Sequence, residues 1–189
     1  MSEQLNQTNQ GAQVLYGYLR SRTEKSKTTS RKTILMQEIG ELTKEEKSAL
    51  LDLIGTEEVP AELADITFVK GRKDTYFYDG TIMTKHYAEL DSMIQEKDLL
   101  YTIATVTRSD CQLYPRPTQF SKLRDMPFWM SEDELLGAEA RFKFEPEYAD
   151  IGVVTESNGA KGFYSTKFMS EKYAQALIEM IEVEEDLYP

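Results

Sequence analysis

"DIGVVTESNGAKGFYST", residues 150–166, decides the fold class. Strand-like residues run on either side of Asn158-Gly159, the dipeptide that most readily closes a tight hairpin, because both residues tolerate positive φ. The stretch predicts two antiparallel strands. Upstream, "ADITFVKGRKDTYFYDGT", residues 64–81, has the same character. Ile66–Val69 and Thr75–Tyr78 are rich in β-branched and aromatic side chains, with Gly71 in the turn between them.

Helical patterns surround both hairpins. Leu35, Ile39 and Leu42 fall at i, i+4, i+7 and predict a helix from Thr33. Thr43 with Glu46, and Ser131 with Glu134, are capping boxes that open further helices. The first of these runs through Leu50 and Leu53 and stops at Gly55. Thr84 caps a helix that reaches about Asp98, with Met83, Tyr87, Leu90 and Ile94 as its apolar stripe. Ser170 caps the last helix, striped by Tyr173, Ala174, Leu177, Ile178 and Ile181. "LLYTIATVTR" (99–108), "CQLYP" (111–115) and "ARFKFEP" (140–146) read as strands from their β-branched and alternating residues. No internal repeat is evident. The expected class is α+β: helices packed on a mostly antiparallel sheet built from hairpins. A winged-helix-like N-terminal half is compatible with this order, with 84–98 as its recognition helix.

Residues 21–33, "SRTEKSKTTSRKT", hold no apolar side chain and are expected to stay a flexible linker. Residues 1–32 are therefore read as a mobile N-terminal segment and basic linker. Residues 33–189 are read as a single α+β domain, with a subdivision near 120 left open.

The charge is uneven. Residues 1–34 carry six basic and two acidic side chains, the remainder 16 basic and 31 acidic, for a net −11. An acidic body repels nucleic acid and anionic membrane. The N-terminus lacks the pattern of a secretory signal, no apolar run spans a membrane, and a lone cysteine excludes an internal disulfide. The expectation is a soluble cytoplasmic protein with no membrane partner.

The counts also remove most catalytic chemistry. One histidine and one cysteine cannot build a four-ligand zinc site, and neither a P-loop nor a dinucleotide fingerprint occurs. No metal and no cofactor is expected. A nucleophilic set would have to use His86 or Cys111. The simpler reading is a half-packed histidine at a helix edge and a small buried thiol.

The segment "LYPRPTQFSKLRDMPFWM", residues 113–130, stands out. It carries Arg116, Lys122 and Arg124 against Asp125, and Tyr114, Phe120, Phe128 and Trp129, the only tryptophan. Pro115, Pro117 and Pro127 restrict its backbone. Arginine and aromatic residues are enriched at protein interfaces. Phe120, Phe128 and Trp129 also suit a structural role, plugging the core or stapling the helix that opens at Ser131. The leading expectation is a non-catalytic accessory or regulatory protein that docks a protein partner through this segment. The alternative is a small-ligand binder or enzyme holding an anion with Arg116, Lys122 or Arg124, and His86 or Cys111 nearby. Nucleic-acid binding by a winged helix is the least favoured, because residues 84–98 are net acidic.

Overall fold

The computed structural model describes the backbone of residues 2–187 and the side chains of 9–180. The acidic end at Glu182–Asp186 therefore lies outside the described side chains. The fold is α+β, and the chain forms two compact units, residues 1–97 and 98–189.

In unit 1, α1 (Ser2–Thr23) leads into β1 (Thr29–Ser30), α2 (Arg31–Met36) and α3 (Lys44–Leu53). A 3-10 turn at Ala61–Leu63 precedes the hairpin β2 (Ile66–Lys70) and β3 (Thr75–Asp79), and α4 (Lys85–Glu96) closes the unit. The strands are antiparallel in the order β1-β3-β2. In unit 2, α5 (Leu99–Leu113), β4 (Thr118–Gln119), α6 (Phe120–Arg124) and α7 (Glu132–Phe142) are followed by a 3-10 turn at Pro146–Tyr148. The hairpin β5 (Ile151–Thr155) and β6 (Lys161–Ser165) and then α8 (Glu171–Leu187) complete it. Its sheet runs β4-β6-β5.

The two units thus have one connectivity: helix, short strand, two helices, hairpin, helix. The first six elements, with the short strand paired to the last, are the order of a winged helix. The expectation of no internal repeat is corrected. What repeats is placement, not identity, so a few anchors are all that survive in sequence. Ala64-Asp65-Ile66 enters one hairpin and Ala149-Asp150-Ile151 the other. Phe77-Tyr78 and Phe163-Tyr164 lie on β3 and β6, and Met83-Thr84 and Met169-Ser170 precede the last helix of each unit. The same backbone bond fixes both hairpin bases: Gly80 N–H donates to the Asp65 carbonyl and Thr166 N–H to that of Asp150, each at 2.8 Å.

Each unit has its own core. In unit 1 Ala12, Leu15 and Leu19 of α1 are fully buried with Ile34 and Leu63, and Leu50 is buried beside them. The N-terminal segment is therefore a core helix and not a mobile one, because its stripe meets the leucines of α3. The linker expectation at 21–33 is corrected as well. Thr28 is fully buried, and its N–H and hydroxyl donate to Asp91 at 2.7 and 2.8 Å. Hydrogen bonds order a stretch that has no apolar side chains to bury. In unit 2 Phe163 is fully buried, stacked on Phe120 with centroids 4.6 Å apart and met edge-on by Phe142 at 5.6 Å. The boundary at 97/98 replaces the single domain beginning at 33.

Residues 99–113 form a helix where strands were expected. Leu100, Ile103, Ala104, Thr107 and Cys111 recur at helical spacing and are all buried, so packing outweighs β-branched propensity. "ARFKFEP" likewise ends α7, with Phe142 buried and Phe144 84 % exposed. Both capping boxes and both hairpins are where the sequence places them.

Candidate functional site

The winged-helix connectivity makes α3 and α7, not residues 84–98, the second helix of each helix–turn–helix, because they precede the hairpins. Neither is basic. α3 holds Lys44 and Lys47 against Glu45, Glu46 and Asp52, and Lys47 turns inward to donate to the Leu35 and Gln37 carbonyls at 3.2 and 2.7 Å. α7 holds Arg141 against Glu132, Asp133, Glu134 and Glu139.

The segment 113–130 resolves into separate environments within unit 2. Phe120 belongs to the core, as do Leu123 and Met130. Lys122 reaches back to the buried Asp110, its Nζ 2.7 and 2.8 Å from the two carboxylate oxygens. Thr118 donates to the same carboxylate at 2.8 Å, so Asp110 ties β4 and α6 to α5. Lys122 is thereby a structural cation. Arg124 is exposed, 3.8 Å from Glu132. Phe128 is half-buried.

Two exposed groups remain. On the α5–β4 loop, Leu113 and Tyr114 are 64 % and 62 % exposed, and the exposed Arg116 guanidinium lies over the Tyr114 ring at 5.3 Å. On the α6–α7 turn, Met126 and Trp129 are 73 % and 70 % exposed. Trp129 adopts φ +51°, a left-handed backbone that bulky residues avoid. Its N–H and that of Phe128 both donate to the Asp125 carbonyl, which holds the turn closed.

The histidine and cysteine fall in different environments. His86 is exposed near the start of α4 in unit 1, rather than half packed. Cys111 is buried in α5 of unit 2. Its thiol faces the Arg116 carbonyl at 3.6 Å and accepts from Ser165 N–H at 3.4 Å. Burial pushes this thiol up, which disfavours the nucleophilic thiolate.

A cleft of about 280 Å³ lies in unit 2 between α6, α7 and the turn of the β5–β6 hairpin. Phe120 and Arg124, singled out in the sequence, line it with Leu136, Glu156, Ala160 and Lys161. Sequence reading missed Leu136, Glu156 and Lys161, because a glutamate beside an Asn-Gly turn reads as solvated. Among the described residues, no helix is long and apolar enough to cross a membrane.

The class that emerges is an α+β protein of two winged-helix-like units with acidic second helices. Residues 97–186, almost the whole of unit 2, match the family model described as the YdhW C-terminal domain. Over 141 residues the chain is 36% identical to the uncharacterized protein YdhW of Escherichia coli strain K12, an alignment that covers 75% of this chain and 64% of that protein. The chain thus spans just under two thirds of this relative. No solved structure matches the chain significantly.

Proposed function

We propose that the chain is an accessory or regulatory protein that docks a protein partner through the exposed loops of unit 2. The observation that carries this is Trp129. Its side chain is 70 % exposed and its backbone is left-handed. Neither burial nor local conformation favours a tryptophan there in the free chain, and a strained exposed aromatic is what a binding surface retains.

The surroundings support the reading. Met126 adds apolar area on the same turn. Arg116, held between Pro115 and Pro117, stacks on Tyr114 and leaves its donors facing outward for a carboxylate. The corresponding loop of unit 1, Glu24-Lys25-Ser26-Lys27, is polar throughout. The partner that fits offers an apolar pocket for Trp129 and an acidic side chain for Arg116. The acidity of α3 and α7 argues against nucleic acid, since phosphates repel such helices.

The test is a quantitative pull-down from native extract with wild type, Trp129→Ala and Arg116→Glu, each checked for an unchanged circular dichroism spectrum. Docking through unit 2 requires a specific partner that Trp129→Ala loses by more than tenfold, as a hot-spot aromatic does, and that Arg116→Glu weakens. A partner retained by both variants places the interface elsewhere. No partner at all moves the anionic-ligand reading forward.

A further inference from the structure

The hairpins of the two units treat one position differently. Lys70 pairs with Thr75 in unit 1 and Thr155 with Lys161 in unit 2, so Gly71 and Glu156 are the next residues on the way into each turn. Their backbones agree: Gly71 N–H donates to the Asp74 carbonyl at 2.9 Å and Glu156 N–H to that of Ala160 at 2.7 Å.

In unit 1 a carboxylate arrives from the last helix. Glu96 accepts from Arg72 N–H at 3.2 Å and Lys73 N–H at 2.8 Å. A Cβ at Gly71 would meet Glu96 Oε1 and the Tyr76 ring, so a side chain there would have to displace the carboxylate from the turn. In unit 2 the hairpin supplies its own carboxylate, and its needs are only half met. Glu156 is 94 % buried by its 6 % exposure, and Oε2 accepts from Asn158 Nδ2 at 3.1 Å. Oε1 is buried and has no hydrogen-bond partner among the described residues. An unmet buried acceptor of this kind calls for a donor.

Glu156 lines the cleft of about 280 Å³, and the other charges there answer one another. Lys161 pairs with Glu139 at 2.8 Å and Arg124 lies 3.8 Å from Glu132. The uncompensated charge is the negative one of Glu156. Leu136, 41 % exposed, and Ala160 give the cleft an apolar wall beside it. A buried anion next to an apolar wall suits a cation carried on a methylene stem, with the stem against the wall and the head on the carboxylate.

We infer that this cleft of unit 2 binds an alkylammonium or alkylguanidinium group, with Glu156 Oε1 as its acceptor. Two sources present that chemistry: a lysine or arginine side chain of another protein, and a free aliphatic amine. The site is independent of the docking loops and stands or falls separately from them.

The test is an amide NMR titration of the full chain with n-butylammonium, with N-acetyl-lysine methylamide, and with the neutral n-butanol. Saturable shifts at Glu156, Gly159, Ala160 and Lys161 with both cations, and binding at least about tenfold weaker in Glu156→Gln, are expected for a charge-assisted bond to this carboxylate. Acetyl-lysine methylamide binding as well as butylammonium identifies a protein side chain as the natural occupant. A tenfold preference for butylammonium identifies a free amine. Both outcomes uphold the cation site. The wild-type comparison with n-butanol does not depend on how the variant folds. Equal shifts with butanol, no saturation by about 50 mM, or an unchanged titration in Glu156→Gln would each overturn it.

Discussion

The two units share a connectivity and spend it differently. In unit 1, each buried carboxylate has partners within the unit. Asp79, fully buried, accepts from Arg20 at 3.3 Å and from Thr81 N–H at 2.9 Å; Asp91 holds Thr28, Gln95 and Lys27; Glu96 closes the hairpin turn. Unit 2 uses the same device at Asp150, where Arg108 donates through both Nε and Nη2 and Ser165 donates at 2.7 Å. The first helix of each unit thus sends an arginine to a carboxylate on the hairpin, but from opposite strands: Asp79 ends β3, and Asp150 precedes β5. Unit 2 then departs from unit 1 in two ways. It leaves the carboxylate oxygen Glu156 Oε1 unmet, and it exposes more large apolar side chains, among them Leu113, Tyr114, Met126, Trp129 and Phe144, where unit 1 exposes Met36 and, less fully, Val14 and Ile82. Among the described residues both units leave buried polar atoms unmatched, Arg22 Nε and Thr29 Oγ1 in unit 1 and Thr107 Oγ1 and Glu156 Oε1 in unit 2. The difference is that the unmatched carboxylate oxygen lies in unit 2, which is what the cation site proposed there rests on.

The largest test of this comparison is at the aromatic core. Phe163→Ala removes the ring between Phe120 and Phe142 and is expected to cost about 4 kcal/mol, read from urea unfolding. A loss under about 1 kcal/mol would mean that unit 2 lacks the packed core assigned to it.

Asp150 offers a sharper test. Arg108 holds its carboxyl well below the ordinary carboxylate range, with Ser165 adding a hydrogen bond. A folded pKa below the unfolded value of about 3.9 stabilises the native state above that value, and the contribution disappears as pH falls through the folded pKa. Asp150→Asn is expected to cost about 3 kcal/mol at pH 7, the low end for a buried pair because Arg108 remains partly hydrated. Its stability should also fall less steeply than that of wild type as pH drops below about 4. Parallel acid-unfolding curves for the two proteins would remove Asp150 from the account.

The smallest expected effect is at Trp129. Trp129→Ala should change stability by less than about 0.5 kcal/mol, because the ring is largely solvated and its removal opens no cavity. A loss of 2 kcal/mol or more would make the ring a packing element, and the distinction drawn between Phe120 and Trp129 would collapse.

Much of the fold was legible in the chain. The Asn158-Gly159 turn, the hairpin around Gly71, the capping boxes at Thr43 and Ser131 and the caps at Thr84 and Ser170 are local devices, each complete within a few residues. Their hydrogen bonds join residues only a few positions apart, which is why their sequence signals are legible without tertiary contacts. The α+β class follows from them. The excess of carboxylates likewise decided, without any structure, that the surface is acidic.

Other features depended on what lies far away in sequence. Residues 99–108 carry β-branched side chains, yet they form a helix because Leu100, Ile103, Ala104 and Thr107 share one buried face. Residues 21–33 look like a linker until Asp91, 63 residues beyond Thr28, supplies the acceptor that orders them. Within 113–130, composition singled out seven side chains alike. Only tertiary structure separated Phe120, stacked on Phe163, and Lys122, paired with Asp110, from the exposed Tyr114, Arg116 and Trp129. The repeat escaped the sequence because a scaffold constrains where an apolar or capping group must stand, not which residue fills the place. Glu156 escaped it because an unmet acceptor is defined by the partners that three dimensions withhold.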